Sequence, residues 1–303
     1  MERDIHPGLY GPEVTSPKSR RLREAAKLDR KQGRNKSGRF LVEGPQGIRE
    51  ALRHQAENRP KAVTLHVEPG EVAPRGTGAV LDVWSTVEAA ERNPDILEAA
   101  RDAGIKIKQT APEALASVTD TVNSQGMIAV VEQLDVDLTS VVTKEAKLIV
   151  VLSQVRDPGN AGTVLRAADA AGADGVIITS SSVDVYNPKA VRSTAGSIFH
   201  VPVVTGVGLP EVTELARARG LQILAADGHP PAHDLHVPWD TGLDLARPTA
   251  WVFGNEAWGL PEADRAQADA AVAIPIYGKA ESLNLATAAA IAVYESAKHV
   301  RMI

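Results

Sequence analysis

The order of apolar and polar positions changes near residue 146 of the 303-residue chain. Beyond that point, short apolar runs alternate with segments of helical spacing, beginning with a strand at 148–152 and a helix at about 161–171. This alternation predicts a mostly parallel sheet covered by helices on both faces. The further predicted strands are 175–178, 201–204, 221–225, 250–253 and 271–274, and the further predicted helices are 188–193, 210–219, 261–268 and a long one from Ser282.

The part of the chain before residue 135 predicts a smaller α/β domain. A basic helix precedes an extended run at 39–43, which is followed by a helix at about 45–55. The β-branched runs at 63–67, 105–107 and 127–131 suit strands. We therefore expect a flexible tail at 1–17, a small domain at 18–134, a polar connector and a larger domain at 146–303.

The composition narrows the classes of protein that fit. Cysteine is absent, which excludes disulfides, thiolate metal sites and cysteine nucleophiles and favours the reducing cytoplasm. No run approaches the roughly 18 apolar residues of a membrane span, and the polar N-terminus lacks the apolar core of a signal peptide. Aromatic residues make up only 4% of the chain, so the core must be aliphatic. We expect a soluble cytoplasmic protein that binds neither a membrane nor a metal.

Positive charge is concentrated in one segment. Residues 18–39 contain ten Lys or Arg and two acidic residues, a local charge of +8 in a chain whose net charge is −5. A basic patch on an acidic body is typical of proteins that bind nucleic acid phosphates. A solvated amphipathic helix is the other interpretation of such a run.

Three loops leave predicted strands of the larger domain with unusual residues. The loop after 148–152 leads through Asn160 into a helix that carries Arg166, and Asn160 is expected to cap that helix. The loop after 250–253 places Glu256 between Gly254 and Gly259. Turn chemistry explains the glycines but not the glutamate. The loop after 271–274 ends in Ser282, the expected cap of the last helix, and Asn284. Ligands of parallel sheets bind at such strand ends.

These residues carry a resemblance to a known family. Asn160-x-Gly162-x-x-x-Arg166, Gly254-Asn255-Glu256-x-x-Gly259-Leu260, and Ile274-Pro275 with Ser282-Leu283-Asn284 resemble the three signature motifs of the SpoU (TrmH) family of RNA 2′-O-methyltransferases. The resemblance covers about residue 148 to the C-terminus, and 184–193 is also similar to a stretch common in the family. The first half resembles the L30e-like substrate-binding domain of ribosomal RNA members, best at 40–44.

The resemblance implies a fold, a cofactor and roles. It implies a trefoil-knotted, parallel-sheet methyltransferase domain that binds S-adenosylmethionine and forms a homodimer. The residues expected to carry the chemistry are Arg166, Asn160, Glu256, Ser282 and Asn284. The residues expected around the cofactor are Phe253, Gly254, Asn255, Gly259, Ile274, Ile276, Ser282 and Leu283. The expected RNA contacts are Arg30, Arg34, Lys36, Arg39, Lys189 and Arg192. One departure from the family pattern is Leu285-Ala286-Thr287 after the third motif, which helix packing tolerates.

The chemistry that the resemblance implies centres on a poor nucleophile. The sulfonium donor is already electrophilic, so the enzyme must align a ribose 2′-hydroxyl and remove or stabilise its proton. Arg166 would bind the adjacent phosphate and lower the pKa of that hydroxyl. Arginine is a reluctant base, since its ordinary pKa is about 12.5–13.8, so we favour electrostatic activation over proton abstraction. Glu256 and Asn160 would orient Arg166 or the ribose.

Several alternatives remain at this stage. The basic first domain favours 23S ribosomal RNA over tRNA as the substrate. A catalytically silent RNA-binding relative is a second reading, which the intact motif residues argue against. A Rossmann-type nucleotide enzyme is a third, but no GxGxxG fingerprint is present. His229, His233 and His236 are interpreted as ordinary loop residues because no carboxylate framework for a metal accompanies them.

Overall fold

The computed structural model describes residues 6–58, 76–119, 121, 124–237 and 242–301. The strands are β1 Tyr10–Val14, β2 Arg39–Glu43, β3 Val80–Ser85, β4 Ile107–Thr110, β5 Met127–Glu132, β6 Leu148–Leu152, β7 Gly175–Ile178, β8 Val203–Thr205, β9 Gln222–Ala226, β10 His233–Asp234, β11 Thr249–Phe253 and β12 Ala270–Ala273. The helices are α1 Arg20–Ala26, α2 Lys31–Ser37, α3 Pro45–Glu57, α4 Val87–Arg92, α5 Pro94–Asp102, α6 Pro112–Leu115, α7 Leu138–Val141, α8 Pro158–Ala171, α9 Pro188–Thr194, α10 Leu209–Ala218, α11 Glu262–Arg265 and α12 Leu285–Arg301.

The chain forms two compact units whose limits differ from the predicted domains. Unit 1 contains the described residues up to Leu134 together with 186–199, and unit 2 contains 135–185 and 200–303. The expected connector thus belongs to unit 2, where Leu138 and Val141 of α7 join the core. The segment 186–199, which was expected within the larger domain, belongs to unit 1.

Unit 1 is built on a five-stranded mixed sheet in the order β1-β4-β3-β5-β2. β5 pairs antiparallel with β2 and β3, whereas β4 pairs parallel with β3 and β1. Apolar residues from α1, the sheet and α6, among them Leu22, Trp84 and Leu115, form its core. The predicted strand at 39–43 is confirmed. The predicted strand at 63–67 lies outside the described residues.

The expected flexible tail is wrong for residues 10–14. They form β1, which pairs with β4 at the edge of the sheet. Pro12 is tolerated there because one side of an edge strand has no neighbouring strand, so a residue that faces that side needs no backbone N–H for pairing. The strand β3 was also missed, because its run is interrupted by Asp82.

Aromatic contacts bring the segment 186–199 into unit 1. The ring of Phe40 lies 4.8 Å from that of Tyr186 and 6.2 Å from that of Phe199, measured between centroids. The hydroxyl of Tyr186 accepts a hydrogen bond from the backbone N–H of Leu134 at 2.8 Å. These buried contacts explain why α9 packs on β2.

Unit 2 is built on a seven-stranded sheet in the order β10-β12-β9-β11-β6-β7-β8, and every pair is parallel. The fold class expected from the sequence, parallel α/β with a smaller α/β domain, is confirmed. The predicted strands 148–152 and 175–178 have the predicted limits, and β10 was missed because it has only two residues. The helices α8 and α12 pack against each other, and α12 also contacts β6, β9 and β11. No helix in the described part of the chain is long and apolar enough to cross a membrane.

Candidate active site

Three loops of unit 2 meet at the carboxyl edge of its sheet. Because β6, β11 and β12 run in the same direction, the loops 153–157, 254–260 and 274–284 all leave the sheet at that edge. This is the edge where parallel sheets bind ligands. The sequence therefore positioned the three loops correctly.

The first loop ends at a helix cap that differs from the expected one. The side chain of Asp157 caps α8, because its Oδ1 accepts a hydrogen bond from the backbone N–H of Asn160 at 2.8 Å. The prediction that Asn160 is the cap is wrong. Pro158 occupies the first helical position, so Asn160 stands in the first turn with its side-chain amide free for other partners.

That amide joins the three loops. Asn160 Nδ2 donates to Glu256 Oε1 at 3.1 Å, and Asn160 Oδ1 accepts from Asn284 Nδ2 at 3.1 Å. An ionised carboxylate can only accept hydrogen bonds, so Asn160 must turn its NH₂ group toward Glu256 and its oxygen toward Asn284. The three side chains thus form a chain of bonds with one direction, which we call the polar bridge.

Asn284 anchors the far end of the polar bridge. Its Oδ1 accepts from the backbone N–H of Ala286 at 2.9 Å, so Asn284, not Ser282, caps α12. The expectation of a Ser282 cap is wrong because α12 begins at Leu285, whereas a helix capped by Ser282 would begin two residues earlier. Ser282 is exposed and makes no hydrogen bond to another described residue.

The loop 254–260 is held in a tight shape. A Cβ on Gly254 would lie 2.5 Å from the carbonyl carbon and oxygen of Gly259, so only glycine fits there. Asn255 and Gly259 exchange two backbone hydrogen bonds of 2.9 Å, and Gly259 has a φ of +69°. Asn255 Nδ2 also donates to the backbone oxygen of Gln154 at 3.0 Å.

Two of the expected cofactor residues therefore have structural roles. The Asn255 side chain is buried and its amide is used in these loop bonds. The Phe253 side chain is 1% exposed and packs against Trp251 in the core, and its backbone oxygen accepts a bond from Ser153. The sequence located this loop, but not the inward direction of these side chains.

The loop 274–284 offers free peptide groups. Between residues 274 and 283, no backbone N–H or C=O bonds to another described residue. Residues 276–282 are exposed, so the peptide groups of this segment are accessible to a polar ligand. The expected cofactor residues Ile274, Ile276 and Leu283 all lie on this segment.

Arg166 does not join the polar bridge. It is exposed on α8 and forms no hydrogen bond or ion pair with the residues that the structure describes. Neither Glu256 nor Asn160 forms a hydrogen bond with it, so the orienting role toward Arg166 has no bond to support it. The second oxygen of Glu256, Oε2, likewise has no partner within the described ranges. Both groups are available to a substrate.

The expected RNA contacts all belong to unit 1, because Lys189 and Arg192 lie in the segment 186–199. Arg30 and Lys36 are exposed. Arg192 is paired with Glu43, at 2.9 Å between Nη1 and Oε1.

Arg34 and Arg39 lie deeper than an RNA contact would require. Arg34 is 2% exposed, and its guanidinium donates to the backbone oxygens of Leu28 and Asp29. We remove Arg34 from the expected contacts, because this charge holds the turn between α1 and α2. Arg39 is half-buried.

Sequence reasoning missed the residues that support the site. Asp264 of α11 accepts bonds from Ser153 Oγ at 2.8 Å and Gln154 Nε2 at 3.1 Å, and so fixes the first loop. The buried Asp227 bonds to Nδ1 of His229 at 2.6 Å. No local pattern marks Asp264, because Ser153 and Gln154 are more than a hundred positions away in sequence. Within the described residues, no group of His, Cys, Asp and Glu is placed to hold a metal ion.

Comparisons with known proteins agree with this arrangement. Residues 147–294 match the SpoU rRNA methylase family, and residues 19–129 match the MRM3-like substrate binding domain. The chain is 31% identical, over 93% of its length and 98% of the relative, to the 23S rRNA (guanosine(2553)-2′-O)-methyltransferase RlmP of Bacillus subtilis. It is 33% identical, over 94% of its length and 91% of the relative, to the 23S rRNA (uridine(2479)-2′-O)-methyltransferase of Streptomyces viridochromogenes. The structure is similar to the AdoMet-bound rRNA methyltransferase of Sinorhizobium meliloti, with a TM-score of 0.76, 26% identity and coverage of 95% and 98%.

Proposed function

Since this chain belongs to the SpoU rRNA methylase family, we propose that it transfers a methyl group from S-adenosylmethionine to a ribose 2′-hydroxyl of 23S ribosomal RNA. The observation that carries the proposal is the polar bridge, in which Asn160 joins Glu256 to Asn284. These residues are 96 and 124 positions from Asn160, and the fold assembles them at the ligand-binding edge of the sheet. The names of the two relatives support the reaction and the RNA.

The cofactor site is proposed on the main chain of two loops. The peptide groups of Ile274, Ile276 and Leu283 would hold S-adenosylmethionine, beside the turn formed by Gly254 and Gly259. When bound, S-adenosylmethionine supplies an electrophilic methyl group that needs no further activation. The task of the protein is therefore to position the 2′-hydroxyl and to stabilise its loss of a proton.

Glu256 and Arg166 are proposed to act on the substrate from separate positions. Asn160 occupies one oxygen of Glu256 and so fixes the direction of the other, which would accept the hydrogen bond of the ribose hydroxyl. Arg166 would bind the adjacent phosphate, and its positive charge would lower the pKa of the hydroxyl. Ser282, exposed and just before the cap of α12, would contact the substrate.

Unit 1 is proposed to bind the RNA. The exposed cations Arg30 and Lys36 lie in the basic segment, and Lys189 is brought into the same unit by the segment 186–199. Phosphate contacts of this kind supply affinity and register rather than sequence information. Arg192 and Arg39 would contribute less, because one is paired with Glu43 and the other is half-buried.

We also propose that the protein is a cytoplasmic homodimer with a trefoil knot in unit 2. After β11 the chain crosses to β12, beyond β9, and then returns as α12 to pack on α8, which supports a threaded path. Tyr294 is 50% exposed on α12 and lies one turn from Ile291, which supports a contact between copies on this helix. Light scattering of the wild type and Tyr294→Glu tests the dimer, since a charge in that contact would give a monomer.

Methyl transfer from labelled S-adenosylmethionine, measured separately on total ribosomal RNA and total tRNA, tests the function. We expect label in ribosomal RNA, at a linkage that resists alkaline hydrolysis because its 2′-oxygen is blocked. Arg166→Ala should abolish the transfer. Arg247→Ala is the matched control, because Arg247 is also exposed but precedes β11 at the opposite edge of the sheet.

Three results would contradict the proposal. Label that appears only in tRNA would reject the RNA class. Label at a linkage that alkali still cleaves would reject the ribose as the acceptor. The absence of S-adenosylmethionine binding by calorimetry would favour a catalytically silent RNA-binding protein.

A further inference from the structure

Two aromatic side chains are exposed on the loops that form the site. The whole chain has only four Tyr, four Trp and three Phe. Within the described residues, Trp258 in the loop 254–260 is 55% exposed and Tyr277 in the loop 274–284 is 82% exposed. Large aromatic rings are mostly buried in folded proteins, so an exposed ring on a site loop needs an explanation.

The ring of Tyr277 is held in place at its hydroxyl end. It stacks on the imidazole of His236, with centroids 5.9 Å apart and planes 21° from parallel. The Tyr277 hydroxyl and His236 Nδ1 form a hydrogen bond of 2.9 Å. His236 is itself fixed by the bond from its backbone N–H to Asp234 Oδ1 at 2.8 Å. The tyrosine ring is therefore open to solvent, while the bond at its hydroxyl fixes its orientation.

We propose that Tyr277, supported by His236, stacks on an unpaired base of the substrate RNA beside the methylated nucleotide. This inference rests on the proposed function and names a substrate-positioning residue for it. Unpaired bases present a flat apolar face, and proteins recognise them by stacking on aromatic rings. Lys279 is exposed two residues further along the same loop and has no partner among the described residues, so it is available to a neighbouring phosphate.

The exposure of Tyr277 favours RNA over the adenine of the cofactor. Small-molecule sites are concave and bury most of the ligand surface, so their walls are not 82% exposed. An RNA strand that lies across the edge of the sheet needs only one open ring face. A contact between copies is proposed on α12 instead, where Tyr294 lies.

Steady-state kinetics with the RNA that the wild type methylates tests this role, with Tyr277→Leu and Tyr277→Phe as a matched pair. Leucine keeps apolar bulk but has no ring, so the KM for RNA should rise about tenfold, the loss of one base–aromatic stack. Phenylalanine keeps the ring and loses only the bond to His236 that orients it, so its KM should rise much less than that of Tyr277→Leu. The affinity for S-adenosylmethionine and the dimer should be unchanged in both variants.

A direct readout uses a single-stranded RNA oligonucleotide that carries a fluorescent purine analogue. Stacking on Tyr277 should quench the analogue in the wild type and Tyr277→Phe, and this quenching should be lost in Tyr277→Leu. An unchanged KM and unchanged quenching in Tyr277→Leu would overturn the inference. So would weaker S-adenosylmethionine binding, which would assign the ring to the cofactor, or loss of the dimer. If the wild type methylates no RNA, the proposed function fails, while the quenching experiment still tests the stack.

Discussion

The polar bridge predicts a specific result for the substitution Asn160→Asp. The aspartate would still accept the bond from Asn284, but its other oxygen would face Glu256 Oε1 where Nδ2 now donates. A hydrogen bond would be replaced by a contact between two negative charges. Asn35→Asp, on the exposed surface of α2, is the matched control for the added charge.

The size of the effect follows from the geometry. Two unit charges at the present separation of 3.1 Å repel each other by roughly 1.3 kcal/mol in water. The lost bond to a charged but partly exposed group adds about 1 kcal/mol. An acidic residue in the first turn of α8 is favourable to the helix dipole, by about 0.3–1 kcal/mol, and this offsets part of the loss. A thermodynamic cycle removes that offset.

In the cycle, Asn160→Asp is compared in the wild type and in a Glu256→Gln background. The side-chain amide that Glu256→Gln introduces can turn its NH₂ group toward the aspartate and restore the bridge with reversed polarity, whereas the helix-dipole gain is the same in both backgrounds. The cost of Asn160→Asp should therefore be about 2 kcal/mol smaller in the Glu256→Gln background. Thermal unfolding should show this as a difference of about 4–8 °C between the two Tm changes.

Equal Tm changes in both backgrounds would show that Asn160 and Glu256 are not in contact, and the polar bridge would be wrong. Methyl transfer separates structure from chemistry in the same proteins. The double variant restores the bridge but has no carboxylate at position 256, so it should remain weakly active if that carboxylate accepts the bond of the ribose hydroxyl. Recovery of full activity would refute that role for Glu256.

Two further predictions concern unit 1. Arg34→Ala should lower the free energy of unfolding by about 3 kcal/mol, because two buried carbonyl oxygens lose their donor. Lys36→Ala, at an exposed neighbouring position, should leave Tm unchanged. It should reduce the slope of log RNA affinity against log salt concentration by about 1. The reverse pattern would restore Arg34 as an RNA contact. The hydrogen bond from Arg49 lowers the pKa of Asp95, so this pair stabilises the fold above the ordinary aspartate pKa and the effect is lost as the pH falls through the lowered value. Asp95→Asn should thus lower the free energy of unfolding by under about 1 kcal/mol at neutral pH, and have no such effect in strong acid. A difference in Tm between Asp95→Asn and the wild type that persists in acid would contradict this.

Local pattern was sufficient for the central strands of the larger domain and for the three loops of the site. The apolar runs at 148–152 and 175–178 have the limits of β6 and β7, since fully buried parallel strands need continuous apolar residues. The motif glycines were also informative, because Gly254 occupies a position where a Cβ would collide with the chain. These properties depend on near neighbours in sequence.

Partners that are distant in sequence could not be predicted in this way. Arg34 reads as one more cation of a basic segment, and only the packing of α1 and α2 shows that it is buried. Residues 10–14 were predicted to be a tail because their local sequence does not indicate a strand. Only the pairing with β4 in the folded chain shows that they form one. The expected cap Asn160 was wrong because Asp157, three residues earlier, is an equally suitable capping residue. Only the turn in the folded chain shows that Asp157 takes the role.

The sequence by itself determined the alternation of the main strands and helices in the larger domain, the family and the three loops that carry the site. Each of these depends on hydrophobic period, turn residues or motif identity, which act over a few positions. Only the tertiary structure decided that 186–199 completes unit 1 and that Asn160 joins Glu256 to Asn284. The physical reason is that a hydrogen bond or a buried ring contact depends on distance in space, and the sheet order brings together residues that the chain separates by about a hundred positions.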